Sequence, residues 1–116
     1  MTSARCTVCI LLLFVSAPAF ASYACTGPVV GVHVNGNGLV AVESIGTLSW
    51  PYFCALGQTT SNGVGPEACK GLLALLLTAQ ASGKQVKLWF DDGLTCSTHP
   101  SWNYLSGWYW GPEIVD

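Results

Sequence analysis

Residues 66–82 read Pro-Glu-Ala-Cys-Lys-Gly-Leu-Leu-Ala-Leu-Leu-Leu-Thr-Ala-Gln-Ala-Ser, the one stretch beyond residue 21 whose pattern predicts a long helix. Gly65 suits the N-cap. Pro66 fits the first helical position, where its missing N–H is not needed, and Glu67 complements the positive end of the helix dipole. Gly83 supplies a left-handed stop, with Lys84 near the negative end. At about 100° per residue, Ala68, Cys69, Leu72, Leu73, Leu75, Leu76, Leu77 and Ala79 cover roughly 200° of the circumference, more than one small sheet can cover. A membrane span is the rival reading, but Glu67, Lys70 and Lys84 bound an apolar core well short of ~20 residues. The stretch therefore reads as a buried helix. Its face centred on Cys69, Leu72 and Leu76 is expected to pack on the strands, with Leu75 and Leu77 left partly wet at the flanks. The opposite face of Gly71, Ala74 and Thr78 would let a second copy approach closely in a homo-oligomer; loops covering the flanks of a monomer are the other arrangement.

Short strands are expected on both sides of the helix. Residues 29–34 alternate, with Val30, Val32 and Val34 on one face. Asn35-Gly36-Asn37-Gly38 is a turn, and residues 39–44 form a second strand, with Val40 and Val42 facing one way and Ala41 and Glu43 the other. A third strand spans residues 48–56, where Pro51 implies an edge or a bulge; residues 57–65 are a polar loop. After Gly83, residues 85–90 place Val86, Leu88 and Phe90 inward and Gln85, Lys87 and Trp89 outward. Asp91-Asp92-Gly93 turns the chain, residues 94–100 loop around Cys96, and residues 102–110 form a last extended stretch. Three strands, a helix and two strands predict a mainly β fold with one central helix, a small OB-fold-like five-stranded barrel.

Residues 1–21 read as a signal peptide: Arg5 is the positive region, residues 8–15 the apolar run, and Ala19-Phe20-Ala21 a small-x-small cleavage site. Cleavage before Ser22 leaves residues 22–116, about 95 residues and one domain, secreted or periplasmic. No leucine stands three residues before Cys25, which argues against lipidation there. Of six cysteines, Cys6 and Cys9 fall in the signal segment. Cys25, Cys54, Cys69 and Cys96 are an even set in an exported small domain, and two disulfides are the default among three possible connectivities. Cys54 ends the third strand and Cys69 opens the helix, so Cys54–Cys69 is the local pair, leaving Cys25–Cys96. No close Cys-x-x-Cys pair suggests zinc or redox chemistry. Only Lys70, Lys84 and Lys87 are basic after Arg5, and the net charge of −2 argues against nucleic acid or anionic lipid.

Tyr52-Phe53-Cys54, a polar Gly-containing loop, Ala68-Cys69 opening a helix, and Ser82-Gly83-Lys84-Gln85-Val86-Lys87-Leu88 resuming a strand resemble the B subunits of AB5 toxins of the subtilase-cytotoxin and typhoid-toxin type. The layout is also similar to small exported bacterial proteins with a like pattern of cysteines and terminal aromatics. The resemblance implies an exported OB-fold, a ring of five subunits around the central helices, a glycan on the outer surface and a toxin A-type subunit as partner. None of the family's glycan-contacting residues maps here by motif, and the long aromatic C-terminal stretch departs from the family.

That stretch, residues 99–112, is His-Pro-Ser-Trp-Asn-Tyr-Leu-Ser-Gly-Trp-Tyr-Trp-Gly-Pro. Its rings, beside amides and hydroxyls, suit stacking on a sugar. Trp89, Trp102, Asn103, Tyr104 and Trp108 are the candidate ligand-binding residues; the alternative is that the rings only pack the fold. Catalysis has little to stand on. Asp91-Asp92-Gly93 could be read as paired acids or calcium ligands, yet adjacent acids before glycine read as a turn. His33 reads as a surface residue and His99 as a loop residue, neither beside a nucleophile motif. The chain is read as a non-enzyme without metal or cofactor: a glycan-binding module or, alternatively, a structural or interaction protein of the bacterial envelope with no small ligand.

Overall fold

The computed structural model of the chain describes Ile10 and residues 22–116, so the signal-peptide reading lies, Ile10 apart, outside the described residues. The elements in order are β1 (Tyr23–Val30), β2 (His33–Val34), β3 (Leu39–Ala41), β4 (Ser44–Ile45), β5 (Leu48–Ser49), β6 (Tyr52–Ala55), α1 (Pro66–Ser82), β7 (Gln85–Phe90) and β8 (Trp108–Val115). The fold is mainly β with one helix, as the sequence predicts. Its strands form a five-stranded sheet, β5-β4-β1-β7-β8, and a three-stranded sheet, β2-β3-β6, rather than one closed barrel. Every strand pairing within the two sheets is antiparallel.

Each of the first three expected strands is broken, and the breaks lie side by side. The chain bends at residues 31–32, 42–43 and 50–51, passing from one sheet to the other each time. Backbone bonds stitch this corner: Glu43 N–H donates to Val30 O (2.9 Å), Trp50 N–H to Glu43 O (2.8 Å) and Val42 N–H to Pro51 O (3.3 Å). Gly31 has φ +69°, and a Cβ there would stand 2.8 Å from the Glu43 Cβ, so the first bend needs glycine. Alternation read across such a corner fails. β1 starts at Tyr23 rather than Val29, and its buried set is Cys25, Gly27 and Val29, leaving Val30 and Val34 exposed. A register shift between Val40 and Ala41 buries Val40, Ala41 and Val42 together. The last strand is also displaced, to Trp108–Val115 from the expected 102–110.

Across the gap between the sheets runs the segment leading into β8. Trp102 N–H donates to Trp50 O (3.0 Å), Tyr52 N–H to Asn103 O (3.1 Å) and Leu105 N–H to Tyr52 O (2.7 Å), forming an isolated parallel bridge at Tyr52 and Tyr104. The helix begins at Pro66 after Gly65 and stops at Gly83, φ 67°, where the Lys84 N–H closes on Ala79 O at 3.0 Å. Cys69, Leu76 and Ala79 are buried against β1, β6, β7 and β8; Leu72, Leu73 and Leu75 are partly buried, and Leu77 is 48% exposed. Lys84 pairs with Asp116 near the chain end (2.8 Å). Val86, Leu88 and Phe90 point into the core with Phe53, Ile45 and Leu48. No helix among the described residues is long and apolar enough to cross a membrane.

Two disulfides fasten this arrangement. Cys54–Cys69 ties β6 to the first turns of α1 (Cα–Cα 5.7 Å), and Cys25–Cys96 ties β1 to the loop after β7 (5.6 Å). The closed loops differ in span, 15 against 71 residues. Chain entropy then assigns about 3 kcal/mol to the first and about 4 kcal/mol to the second. Replacing Cys25 and Cys96 together by Ala is expected to lower the urea midpoint more than replacing Cys54 and Cys69. The reverse ranking would show that native contacts around Cys54–Cys69, rather than loop length, dominate.

Candidate functional site

On the seam between the sheets the aromatic side chains form a row. The indoles of Trp50 and Trp102 stack with centroids 4.2 Å apart and an interplanar angle of 16°. The His33 ring lies 5.3 Å from Trp50, Tyr52 meets Trp102 edge-on at 6.4 Å, and Tyr104 meets Tyr52 edge-on at 6.0 Å. Trp102 is 55% exposed. Among the described non-glycine residues, Trp50 (φ 49°) and Trp102 (φ 61°) are the ones with positive φ. A bulky residue in that region costs about 1–3 kcal/mol and persists where its surroundings over-determine it. Here they do, because Pro51 beside Trp50 is fully buried and both backbones are hydrogen-bonded across the seam.

Polar groups frame the row. His33 Nδ1–H donates to Gly31 O (2.8 Å), a carbonyl that can only accept, which leaves Nε2 as the ring nitrogen not engaged by that bond. Asn103 is exposed and turns its amide Nδ2 to Ser101 O (3.3 Å), while Tyr52 and Tyr104 carry the neighbouring hydroxyls. Beneath the row, Asn62 Nδ2 donates to both Phe53 O (2.8 Å) and Leu105 O (2.9 Å), while its Oδ1 accepts from Thr60 Oγ1 (2.6 Å). One side chain thus staples β6 to the seam segment.

The structure divides the candidate residues named from sequence. Trp102, Asn103 and Tyr104 stand together on the seam. Trp108 belongs to the packing: it is partly buried, meets Phe53 edge-on at 6.5 Å, and its Nε1–H donates to Leu105 O (2.9 Å). Trp89 lies on the other side of the five-stranded sheet, paired with Trp110 across β7 and β8, with the Lys87 ammonium 4.3 Å over its ring. Tyr109 and Trp110, 52% and 64% exposed, continue that second patch along an open groove of about 430 Å³. Trp50, Tyr52 and His33 were not among the sequence candidates. Trp50 and Trp102 adopt left-handed backbone where alternation does not apply, and the contacts of Trp50, Tyr52 and His33 with the row join distant parts of the chain, so the sequence carried no signal for them.

Compared with family models, curated proteins and solved structures, the chain matches none. The geometry of the seam therefore carries the functional argument by itself. Among the described residues no group of three or more His, Cys, Asp or Glu is placed to hold a metal ion.

Close to the seam segment in sequence, a second polar group is almost closed to solvent. Tyr23 Oη donates to Asp92 Oδ1 (2.5 Å), so the His99 Nε2–H donates to Tyr23 Oη (2.8 Å). The His99 side chain is 5% exposed and its ring packs 4.5 Å from Phe90. His99 is a loop residue, as expected from sequence, but a buried one held in a hydrogen-bonded row. Asp92 also accepts the Leu94 N–H (3.0 Å), which makes the expected Asp-Asp-Gly turn. Burial first, then the hydrogen bond and charge of Asp92, raise the Tyr23 hydroxyl well above its ordinary value of 10.0.

Two outcomes follow from these contacts. Asn62→Ala removes two donors at the seam and is expected to cost about 1–3 kcal/mol in denaturant unfolding. Asn62→Asp, which sets a carboxylate against two carbonyls, should cost more; equal stability of native protein and Asn62→Asp would remove the staple from the account. Because the folded state holds the Tyr23 proton more tightly than the unfolded state, the stability it contributes is complete below pH 10.0 and is lost as pH rises beyond it. The unfolding midpoint should therefore fall above that pH more steeply in the native protein than in Tyr23→Phe.

Proposed function

We propose that the chain is an exported binding module that holds a glycan against the exposed face of Trp102. The observation that carries this reading is the stacked pair Trp50–Trp102, with both residues held in left-handed backbone and one ring more than half exposed. A core needs neither the strained backbone nor the exposure. Carbohydrate recognition calls for an apolar ring face, a few fixed neutral donors and acceptors, and little charge. Trp102 supplies the face; Tyr52, Tyr104, Asn103 and the Nε2 of His33 supply the polar rim. Two disulfides support export. Assembly into a toxin-B-subunit-like ring with an A-type subunit remains part of this proposal; Leu77 and the small exposed residues Gly71, Ala74 and Thr78 support close approach of a second copy.

The second reading is an interaction protein of the envelope without a small ligand. What favours it is the separate aromatic patch of Trp89, Tyr109 and Trp110, open to solvent on the other side of the five-stranded sheet. A glycan array on the oxidised chain, followed by titration of the hits against tryptophan variants, separates the two. Trp102→Ala is expected to weaken glycan binding by at least ~1–2 kcal/mol with little change in melting temperature. Trp108→Ala, a packing residue, should instead lose ~3–5 kcal/mol of folding stability. A blank array with properly folded protein would leave the interaction reading in its place.

A further inference from the structure

The Tyr23–Asp92–His99 row lies next to the proposed site in sequence and is fastened at both ends. Tyr23 opens β1, Asp92 follows β7, and His99 stands three residues before Trp102. The two ends of the loop that carries Trp102 and Tyr104 meet at Asp92. The Asp91 N–H donates to Gly107 O (3.2 Å), and a side chain added at Gly107, φ +80°, would run into the Asp92 carboxylate. His99 is therefore the hold that this loop has on β1 between the Cys25–Cys96 disulfide and the seam.

The chemistry of the row is directional. Tyr23 has spent its one proton on Asp92, so its oxygen can only accept from His99, and neutral His99 already carries the Nε2–H that satisfies it. A second proton would have to sit on Nδ1, in a side chain with almost no access to water. The groups facing the ring are the Tyr23 hydroxyl from β1, the Asp92 carboxylate from the turn after β7, and the apolar Phe90 from β7 itself.

We propose that this row is an acid-sensitive latch on the aromatic site: protonation of His99 frees residues 99–104 from the seam and unstacks Trp102 from Trp50. The proposal rests on the seam being the binding site and names how that site is regulated. Burial holds the His99 imidazole below its ordinary value of 6.5, outweighing the Asp92 carboxylate, which acts in the opposite direction. The unfolded or opened loop thus binds a proton more readily than the latched one. The stability the latch contributes is complete above pH 6.5 and is lost as pH falls below it toward the folded value. A ligand held by Trp102 would be released on passing from neutral to acidic surroundings.

The test reads the latch and the ligand separately, on the full chain with both disulfides formed. Far-ultraviolet circular dichroism follows the exciton couplet of the stacked indoles from about pH 7.5 to about pH 5, the range in which histidine titrates. Hydrogen exchange of the Trp102 and Leu105 amides, corrected for intrinsic rates, follows the seam over the same range. The expected result is loss of the exciton signal and at least about tenfold faster exchange at the acidic end, where each pH unit of linkage is tenfold in population. His99→Gln keeps an N–H donor for Tyr23 but does not titrate, so its exciton signal should be flat with pH. An unchanged signal and unchanged exchange in the native protein would overturn the latch, as would an acid loss in His99→Gln equal to that of the native chain. If His99→Gln does not fold, the exchange data on the native chain decide alone. A pH-dependent signal without glycan binding at any pH leaves the latch standing and removes the binding reading. Binding that persists with an invariant signal does the opposite.

Discussion

Three backbone hydrogen bonds between residues 50–52 and residues 102–105 fasten the segment that leads into β8 onto the point where the chain passes from β5 to β6, from one sheet to the other. Each nets only about 1 kcal/mol, yet leaving such groups unmade at a half-buried seam costs more than making them gains. The side chains nearby are arranged around this requirement. Leu105 O receives the Asn62 amide and the Trp108 indole N–H, and Phe53 O receives the other hydrogen of Asn62. Cys54–Cys69 then presses the helix onto the strand that carries one side of the seam. The corner at residues 31, 43 and 50 and the aromatic row both exist because the strands change sheets at this level.

The same seam explains how two tryptophans tolerate left-handed backbone. An aromatic pair adds about 0.5–1.5 kcal/mol beyond the area it buries, which is less than the cost of two such conformations at about 1–3 kcal/mol each. Stacking alone does not hold Trp50 and Trp102 where they are. Buried Pro51 and the cross-seam bonds fix the backbone, and the rings stack as a consequence. Rings held through their backbone in this way have little side-chain freedom left to lose in any further contact.

The helix was legible because its signals are local: Gly65, Pro66 and Gly83 mark its ends within one turn each, and the structure gives Pro66–Ser82. The strand of residues 85–90 was legible for the same reason, since nothing interrupts its alternation. The corner was not, because alternation encodes one face at a time and a strand that switches sheets changes which face is inside. Val30, Val32 and Val34 therefore read as one stripe, although Val30 stands before the bend at Gly31 and Val34 after it, in the other sheet. The site was half legible. Trp102, Asn103 and Tyr104 drew attention as an aromatic run, but their partners Trp50 and Tyr52 come from a distant part of the chain, and no spacing rule reports a contact across the seam. The burial of His99 was missed for a similar reason: Tyr23, which it meets, lies 76 residues away, and Phe90, on which its ring packs, lies in the strand before the turn.

The position of β1 has a consequence for how the chain comes to be folded. It is the first strand in the described sequence and the middle strand of the five-stranded sheet, with β4 on one side and β7 on the other. As the polypeptide is made from its N-terminus, β1 has to wait until the helix and β7 have been synthesised before its second edge is covered. Cys25 likewise has to wait for Cys96. Such non-local pairing raises contact order and delays folding relative to synthesis. The middle of the five-stranded sheet and the longer disulfide therefore close together, only after the helix and the strand that follows it have been made.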